Sequence, residues 1–363
     1  MRIVRIETIP VRVPLNPRRM IRGSRGVHDV SPFLLVKVHT NEGITGLGEV
    51  SCTPRWSGED QVTAAHLVHT YFEPLWVGED PRNVEALSRR LRLGAAGNFF
   101  TKAALEMALW DILGKASALP VYRLLGGAVR ESVPTKFSIS GVAPEEAAEI
   151  AKWAYLQGFR EMKVKVGTEG DVRRVEAVCR AVAVKPGVDA NGGWDVPTAI
   201  ARVAEMPGIA FVEQPVAPGD PDRMAEVKRA VRVPVVADES LYTPQDALAL
   251  ISARAAGVFS IYVGKSGGIG NARQIAAIAE AAGIPCTIGS NLEMGIASAA
   301  MLHLAVSTPA VTWACDILLP FFYEDDVLTE PLDIRAGVAF APEKPGLGVE
   351  LDEEKVARYR VDR

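Results

Sequence analysis

Short apolar, β-branched runs alternate with stretches of helical spacing over residues 133–315. The pattern predicts eight strands and seven intervening helices. Most runs are continuously apolar, which is typical of a parallel sheet buried on both faces. A barrel with a missing or modified last helix fits better than an open sheet, because a barrel brings the polar strand ends to one mouth. The predicted strands are residues 135–141, 161–166, 187–190, 209–212, 235–237, 258–263, 285–289 and 311–315.

The N-terminal part of the chain follows a different pattern. Residues 2–13 alternate between polar and apolar, and runs at 33–38 and 44–50 complete three predicted antiparallel strands. Residues 58–126 have the spacing of helices. The predicted units are an α+β capping domain (1–130), an α/β barrel (131–317) and a tail that packs on the capping domain (318–363).

Composition narrows the class of protein. The net charge of −4, without any basic block, argues against nucleic-acid and membrane-surface partners. The cysteines at 52, 179, 286 and 315 form no Cys-x-x-Cys pair, which is typical of a reducing cytoplasm. The N-terminus has no signal-peptide core, and the longest apolar stretch, 294–306, is too short to span a bilayer. We expect a soluble cytoplasmic protein.

Three acidic residues follow consecutive predicted strands. Asp189, Glu213 and Asp238 are 24 and 25 residues apart, about one βα-unit each. One such acid is commonly a helix cap or a surface salt bridge, but three at one mouth would repel each other unless a cation lies between them. Oxygen ligands favour Mg²⁺, with Mn²⁺ as the alternative. Asn191 either contacts a metal-bound water or serves as a turn residue.

Lysines flank the predicted metal site. Lys163 and Lys165 are two residues apart and therefore point to one side of their strand, and Lys265 ends the sixth strand across the barrel. Burial and a nearby cation should lower the pKa of both strand-two lysines, which would supply a neutral amine as base. The alternative is an edge strand with solvated lysines. Amines on two faces suit proton removal next to a substrate carboxylate.

Loops of the capping domain supply substrate candidates. Arg19 and Arg22 lie in the segment 16–28, and arginines over a metal site favour an anionic substrate, although either could serve solubility alone. His28 ends the same segment, which is predicted to cover the mouth. Trp56 either forms an apolar wall or packs its own loop. Glu239, next to the third acid, is expected to pair with a lysine.

The ordered motifs resemble the enolase superfamily, in its muconate lactonizing enzyme subgroup, over nearly the whole chain. The resemblance implies a modified (β/α)7β barrel with an N-terminal capping domain, Mg²⁺ on the three acids, and a homo-oligomer. It also implies Lys165 and Lys265 as acid or base on opposite faces, with Lys163 facing the substrate carboxylate. The motifs are Lys-Val-Lys, Asp-Ala-Asn-Gly-Gly-Trp, Val-Glu-Gln-Pro, Ala-Asp-Glu-Ser and Gly-Lys-Ser-Gly-Gly-Ile.

Departures from the patterns of related branches are informative too. The seventh strand has no histidine, unlike the mandelate racemase and sugar-acid dehydratase branches. The sequence Cys315-Asp316-Ile317-Leu318 lacks the Asp-x-Asp pattern of dipeptide epimerases, which argues against a dipeptide substrate. Glu293 resembles a glutamate of muconate lactonizing enzymes, where it would orient substrate or bond Lys265; alternatively it caps the following helix.

The predicted function is Mg²⁺-dependent removal of a proton α to a carboxylate, through an enediolate, by a muconate-type cycloisomerase or a racemase/epimerase. A hydroxy-acid dehydratase or an enzyme like o-succinylbenzoate synthase is the alternative within the family. Two other classes stay open. One is a Schiff-base aldolase using Lys165, and the other is a non-catalytic carboxylate-binding protein.

Overall fold

A barrel-like sheet of parallel strands forms the centre of the molecule. The computed structural model describes residues 1–206 and 208–361. Neighbouring strands of the sheet follow each other in chain order, so every connection is a helical crossover. We number them as barrel strands one to seven: Phe137–Ile139, Met162–Lys165, Gly187–Asp189, Val212–Glu213, Val235–Ala237, Val258–Ile261 and Cys286–Ile288.

Seven helices surround this sheet and confirm the predicted alternation of strands and helices. Their inner faces pack on the sheet in one large apolar core. None of the helices in the described part of the chain combines the length and apolar character that crossing a bilayer requires. The barrel helices are Pro144–Gln157, Asp171–Ala181, Val196–Glu205, Pro221–Ala230, Pro244–Ser252, Ile269–Ala281 and Gly295–Ser307.

Two details of the strand prediction are wrong. The predicted eighth strand forms only single bridges, from Thr135 to Cys315 and from Cys286 to Val311. The amides of two consecutive residues, 312 and 313, both donate to the Cys286 carbonyl, so the segment turns instead of forming a ladder. The fourth strand starts later than predicted and includes Glu213, because its register pairs Glu213 with Asp189 of strand three.

The capping domain is built on a three-stranded antiparallel sheet. Ile3–Pro14 and Thr45–Ser51 flank the central strand Val30–Thr40, close to the predicted bounds. A small hairpin, Ile21–Gly23 with Gly26–His28, was not predicted as strands. The helical segments of this domain are Pro17–Arg19 (3-10), Gln61–Leu67, Val68–Phe72 (π), Glu73–Trp76, Val84–Gly94, Phe99–Ser117 and Val121–Leu124.

The longest helix, Phe99–Ser117, packs directly on the strand Thr45–Ser51. Glycine makes this approach possible, because a Cβ atom at Gly48 would stand only 1.9 Å from the carbonyl oxygen of Ala104. The helix and the sheet enclose a second apolar core that belongs to the capping domain. Backbone contact across a glycine thus fixes the distance between the two layers.

The C-terminal tail contacts both units. Its hairpin, Ile334–Arg335 with Val338–Ala339, adds to the short strand Val133–Pro134 that precedes the barrel. On the other side, the buried carboxylate of Asp111 accepts hydrogen bonds from the amides of Leu47 and Leu347. The tail therefore bridges the barrel and the capping domain. Its helices are Leu319–Phe322 and Glu353–Tyr359.

Buried glutamates of the capping domain bind the starts of barrel helices. Glu49 accepts from the amides of Met294 and Ala297, at 2.7 and 3.2 Å. Glu106 accepts in the same way from the amides of Ile269 and Gly270. These amides have no partner within their own helices, so the carboxylates satisfy them. Burial raises the pKa of Glu49 to about 8 and that of Glu106 to about 7.

The raised pKa of Glu49 predicts a pH-dependent docking of the two units. Folded protein keeps the proton up to about pH 8, whereas the ordinary pKa is 4.5, so stability falls as the pH rises between these values. Glu49→Gln cannot ionise, but its amide group cannot accept from both backbone amides. We expect it to melt below the wild type at pH 5, with a gap that narrows towards pH 9.

Thermal melts across this pH range measure the gap. Glu149→Gln, on an exposed helix face, is the matched control and should give a curve parallel to the wild type. A constant gap for Glu49→Gln would show that its ionisation does not affect folding.

Candidate active site

A cavity lies at the carboxyl ends of the barrel strands, beneath loops of the capping domain. Its polar lining includes all three predicted lysines together with Asp189 and Asp238. Apolar residues from both units complete the wall. The apolar and aromatic lining residues are Ile21, Trp56, Phe100, Leu292 and Leu318, with Tyr242 and Tyr262 from the loops after strands five and six.

Strand register brings the first charged residues together. Lys165 and Asp189 are paired across strands two and three, and Glu213 is the next in line. The Asp189 carboxylate accepts from Lys165 Nζ at 2.7 Å and lies 3.3 Å from Lys163 Nζ. Lys163 Nζ also donates to Glu213 at 3.0 Å. One ammonium group therefore lies between two of the predicted metal ligands.

The third acid and third lysine form a second pair. Lys265 Nζ donates to the Asp238 side chain and carbonyl oxygen, each at 2.6 Å, and to the Ser260 carbonyl at 3.0 Å. The Tyr262 hydroxyl donates to the other Asp238 oxygen at 2.7 Å. Both Lys165 and Lys265 are thus held by an acid of the predicted metal set, from strands two and six.

Buried negative charge dominates this part of the cavity. Burial raises the pKa of Glu213 to about 8; Lys163 opposes this, while Asp189 and Asp238 add to it. Burial also disfavours ionised Asp189, but Lys165 and Lys163 outweigh it and the pKa of Asp189 is lowered. Ionisation of these buried acids therefore depends on the neighbouring lysines.

The three predicted ligands fit a hard divalent cation chemically. They are all carboxylates, and Glu213 Oε2 is buried without any hydrogen-bond partner. As they stand, no three acidic, imidazole or thiol side chains among the described residues are close enough to hold an ion. The Lys163 Nζ atom contacts both Asp189 and Glu213, at 3.3 and 3.0 Å. A bound cation would satisfy this unpartnered oxygen and would favour the ionised form of Glu213.

The prediction that the pKa of Lys163 is lowered is wrong when the charged groups of the protein itself are considered. Burial lowers its pKa, but the carboxylates of Asp316, Glu213, Asp189 and Asp238 together raise it well above the ordinary value. The prediction considered the neighbouring lysine and a cation, and it did not count the four acids around this one amine. Lys163 is therefore a fixed positive charge within this set of residues.

Asn191 and Glu239 connect the acids to the capping domain. Asn191 accepts from Lys165 Nζ at 2.8 Å and donates to Glu239 at 3.0 Å. The expected lysine partner of Glu239 is wrong, because its other contact is Arg25 at 3.5 Å. Burial, followed by the charges of Asp238 and Asp189, raises the pKa of Glu239 to about 7.

Glu293 does not bond Lys265. Its carboxylate accepts from the Asn291 amide and from the Ser290 hydroxyl, at 3.0 and 2.6 Å. The side chain thus turns back on its own loop, two to three residues upstream, and it does not line the cavity. Of the two predictions for Glu293, a local structural role is the one that these contacts favour.

The hairpin of the capping domain covers the mouth. The Ser24 hydroxyl at its turn donates to the Ala190 carbonyl at 2.8 Å. His28 and Trp56 both line the cavity, with ring centroids 5.4 Å apart. Burial lowers the pKa of His28 to about 4, so its ring is neutral near pH 7. It contacts the Ser31 hydroxyl at 2.5 Å.

The two predicted substrate arginines do not line the cavity. The Arg19 guanidinium stacks on Trp153, 4.1 Å from the ring centroid, and donates to the Phe321 carbonyl. The Arg22 side chain lines a separate surface groove beside two barrel helices. Arg19 lies in the 3-10 segment before the hairpin and Arg22 lies in its first strand, and the path of the chain through these elements is not revealed by sequence spacing alone.

Sequence reasoning missed several residues of the cavity. Asp316 lines it and contacts Lys163 at 3.2 Å and Lys136 at 2.9 Å. An acid directly after the eighth predicted strand is the signal that could have found it. Ser138 in strand one also lines the cavity, and its hydroxyl lies 3.4 Å from Asp316. The other missed polar lining residues are Tyr242, Tyr262, Ser290 and Asn291.

Both halves of the chain match known protein families. Residues 3–126 match the family described as mandelate racemase / muconate lactonizing enzyme, N-terminal domain, and residues 145–355 match enolase C-terminal domain-like proteins. Muconate cycloisomerase 1 of Rhodococcus opacus is 34% identical, covering 98% of this chain and 98% of its own.

Solved structures give the same relationship. The N-succinyl Arg/Lys racemase from Bacillus cereus ATCC 14579 superimposes with a TM-score of 0.95 at 32% identity, covering 100% of this chain and 99% of the racemase. A dipeptide epimerase from Enterococcus faecalis V583, complexed with Mg and the dipeptide L-Leu-L-Tyr, gives 0.91 at 30% identity over 96% and 100%.

The central position of Lys163 predicts a large effect on stability. Lys163→Met leaves Glu213, Asp189 and Asp316 without their shared cation, and breaking a buried pair costs about 3–5 kcal/mol. Urea unfolding of protein dialysed against chelator measures the change. Lys152→Met, which removes an exposed pair with Glu149, is the control and should cost less than about 1 kcal/mol. Equal losses in the two variants would contradict the assignment.

Proposed function

The chain belongs to the enolase superfamily, in its muconate lactonizing enzyme-like group, and from this premise we propose that it is an isomerase that removes the proton α to a carboxylate. The observation that carries the proposal is the pair of lysines, Lys165 and Lys265, which line one cavity from strands two and six. Each is anchored on a different acid, so two amines face the same bound molecule from different sides.

The metal set of the proposal is Asp189, Glu213 and Asp238, with Mg²⁺ as the ion and Mn²⁺ as an alternative. Support comes from the all-carboxylate donor set and from the unpartnered Glu213 oxygen. The related dipeptide epimerase was solved with Mg. When bound, such an ion supplies positive charge that stabilises the negative charge developing on the substrate carboxylate.

Proton movement is assigned to the lysines. Lys165 or Lys265 takes the α-proton and the substrate becomes an enediolate, while the Lys163 ammonium faces the carboxylate and stabilises its added charge. Asn191 holds Lys165 in place through the 2.8 Å bond. The hairpin and Trp56 close the cavity from above and limit the access of water.

The fate of the enediolate distinguishes the two candidate activities. Return of the proton by the opposite lysine gives racemisation or epimerisation. If the enediolate instead expels a β-substituent and thereby opens a lactone ring, the reaction is a cycloisomerisation. One lysine suffices for this reaction. Relatives of both kinds are similar to this chain, namely a muconate cycloisomerase and an N-succinyl Arg/Lys racemase. The proposed partner is thus a small carboxylate.

Location and assembly are part of the same proposal. The four cysteines are all unpaired, which supports a reducing compartment such as the cytoplasm. A homo-oligomer is proposed on the family resemblance.

Deuterium exchange tests the two-lysine assignment. N-acyl amino acids, dipeptides, muconolactone and acid sugars are first screened for α-proton exchange in D₂O with the Mg²⁺-loaded protein. Lys165→Met and Lys265→Met should each lower exchange by at least about 100-fold on one face of the α-carbon, the usual contribution of a general base. Lys152→Met is the control and should match the wild type. Wild-type exchange on both faces in either lysine variant refutes the assignment.

Chelation separates the metal enzyme from a Schiff-base aldolase. Dialysis against EDTA should abolish exchange, and Mg²⁺ or Mn²⁺ should restore it, because the carboxylates need a cation to bind substrate. Borohydride added with substrate should leave the protein mass unchanged. Full activity in EDTA, together with a reduced adduct on Lys165, would replace the proposal by the aldolase.

A further inference from the structure

Lys136 is a buried lysine that lies behind the cavity wall. It precedes barrel strand one, and only 3% of its surface is exposed. Its Nζ atom donates to the Ala314 carbonyl at 2.7 Å and to the Thr287 hydroxyl at 3.1 Å, and lies 2.9 Å from Asp316. Burying an ammonium group is costly unless an anion accompanies it. Asp316 is that anion.

Asp316 is shared between two cations. One of its oxygens, Oδ2, contacts both Lys136 at 2.9 Å and Lys163 at 3.2 Å. Among the residues that the structure describes, the other oxygen has only the Ser138 hydroxyl, at 3.4 Å. Asp316 lines the cavity whereas Lys136 does not, so the carboxylate is neutralised from behind. It offers no net negative charge to a bound molecule.

The other acids of the cavity are also matched by cations. Asp189 contacts Lys165, Asp238 contacts Lys265, and Glu239 contacts Arg25. In the described part of the chain, every acid that lines the cavity therefore contacts a basic side chain. An ammonium group on a substrate would lose its hydration without gaining a free carboxylate.

The wall beside Asp316 is apolar. Leu318 follows it by two residues, and Leu292 and Ile21 line the same cavity. A neutral acyl group or hydrocarbon can bury its surface against these side chains, whereas a charged group cannot. The apolar surface and the matched charges on this side of the cavity thus both favour an uncharged substituent.

We propose that Lys136 determines substrate class by neutralising Asp316, so that the enzyme accepts carboxylates with an uncharged substituent, such as an acylated amine, and rejects those carrying a free ammonium group. The inference rests on the proposed function, since it concerns the same cavity. Lys136 acts through Asp316 and is therefore a positioning residue, without contact to substrate.

A matched pair of probes isolates the charge. N-propionyl-L-leucine and L-alanyl-L-leucine differ only by hydrogen or ammonium on the acyl group. With the Mg²⁺-loaded protein, kcat/KM for α-proton exchange and Kd by calorimetry are measured for both. The wild type should prefer the propionyl compound at least about 10-fold, the range expected for one unpaired buried charge.

Three variants test the role of Lys136. Lys136→Met leaves Asp316 with Lys163 alone, which also contacts Asp189 and Glu213, so negative charge at Asp316 is no longer fully matched and the preference should move at least about 10-fold towards the dipeptide. The double variant Lys136→Met with Asp316→Asn removes both charges and should return the preference to the wild-type side. Lys228→Met is the control, since Lys228 donates only to the carbonyls of Arg254 and Ala256, and it should keep the wild-type preference.

The measured quantity is the ratio of kcat/KM for the two probes. A purely structural role of Lys136 would leave this ratio unchanged. If Lys136→Met loses activity equally on both probes, the proposal is overturned. The proposal is also overturned if the wild-type protein binds the two probes equally or binds neither of them. If Lys136→Met does not fold, Asp316→Asn takes its place: it should keep or increase the preference for the propionyl compound, and a shift towards the dipeptide overturns the proposal.

The failure of the proposed function gives a separate signal. If the Mg²⁺-loaded wild type exchanges no α-proton in any carboxylate of the screen, the enzymatic proposal fails. The ratio of the two calorimetric Kd values still reports on the charge of the cavity wall in that case.

Discussion

Charge matching at the barrel mouth constrains how the rest of this protein is built. Asp189, Glu213, Asp238 and Asp316 are all nearly fully buried, and so are Lys163 and Lys265. A group of this kind is stable only when each charge has a partner of the opposite sign within a few ångströms. The barrel meets this condition through register, because parallel strands place their carboxyl ends at one level.

The capping domain depends on the barrel in two ways. Its hairpin closes the mouth, and its buried Glu49 and Glu106 bind the starts of the last two barrel helices. The helices that follow strands six and seven are thus tied to the unit that covers the cavity. The unit that covers the cavity therefore also satisfies the free amides at the starts of these two helices.

The general fold and the positions of the key charges could be predicted from the sequence, because both depend on local periodicity. Strand ends recur every 24 or 25 residues, and lysines two apart share a face. The predictions that were wrong concern side chains whose contact partners are distant in the sequence. The contact of Glu239 with Arg25, the stacking of Arg19 on Trp153 and the position of Arg22 in a separate groove depend on the path of the 3-10 segment and the hairpin, which spacing does not describe. The acids around Lys163 include one, Asp316, from a segment that forms no ladder.

That missing ladder gives the barrel a seam. Between strands one and seven, the backbone is joined through residues 310–316 by the single bridges of Thr135 with Cys315 and Cys286 with Val311, and by the Asp316 amide, which donates to the Ile288 carbonyl. Lys136 crosses the same gap and reaches Thr287 on one side and Asp316 on the other. The Lys136 side chain therefore adds to the few main-chain hydrogen bonds that join strands one and seven through this segment. Substitution of Lys136 would remove this contact between strands together with a buried partner of Asp316, so it should lower the stability of the barrel as well as change the charge beside the cavity.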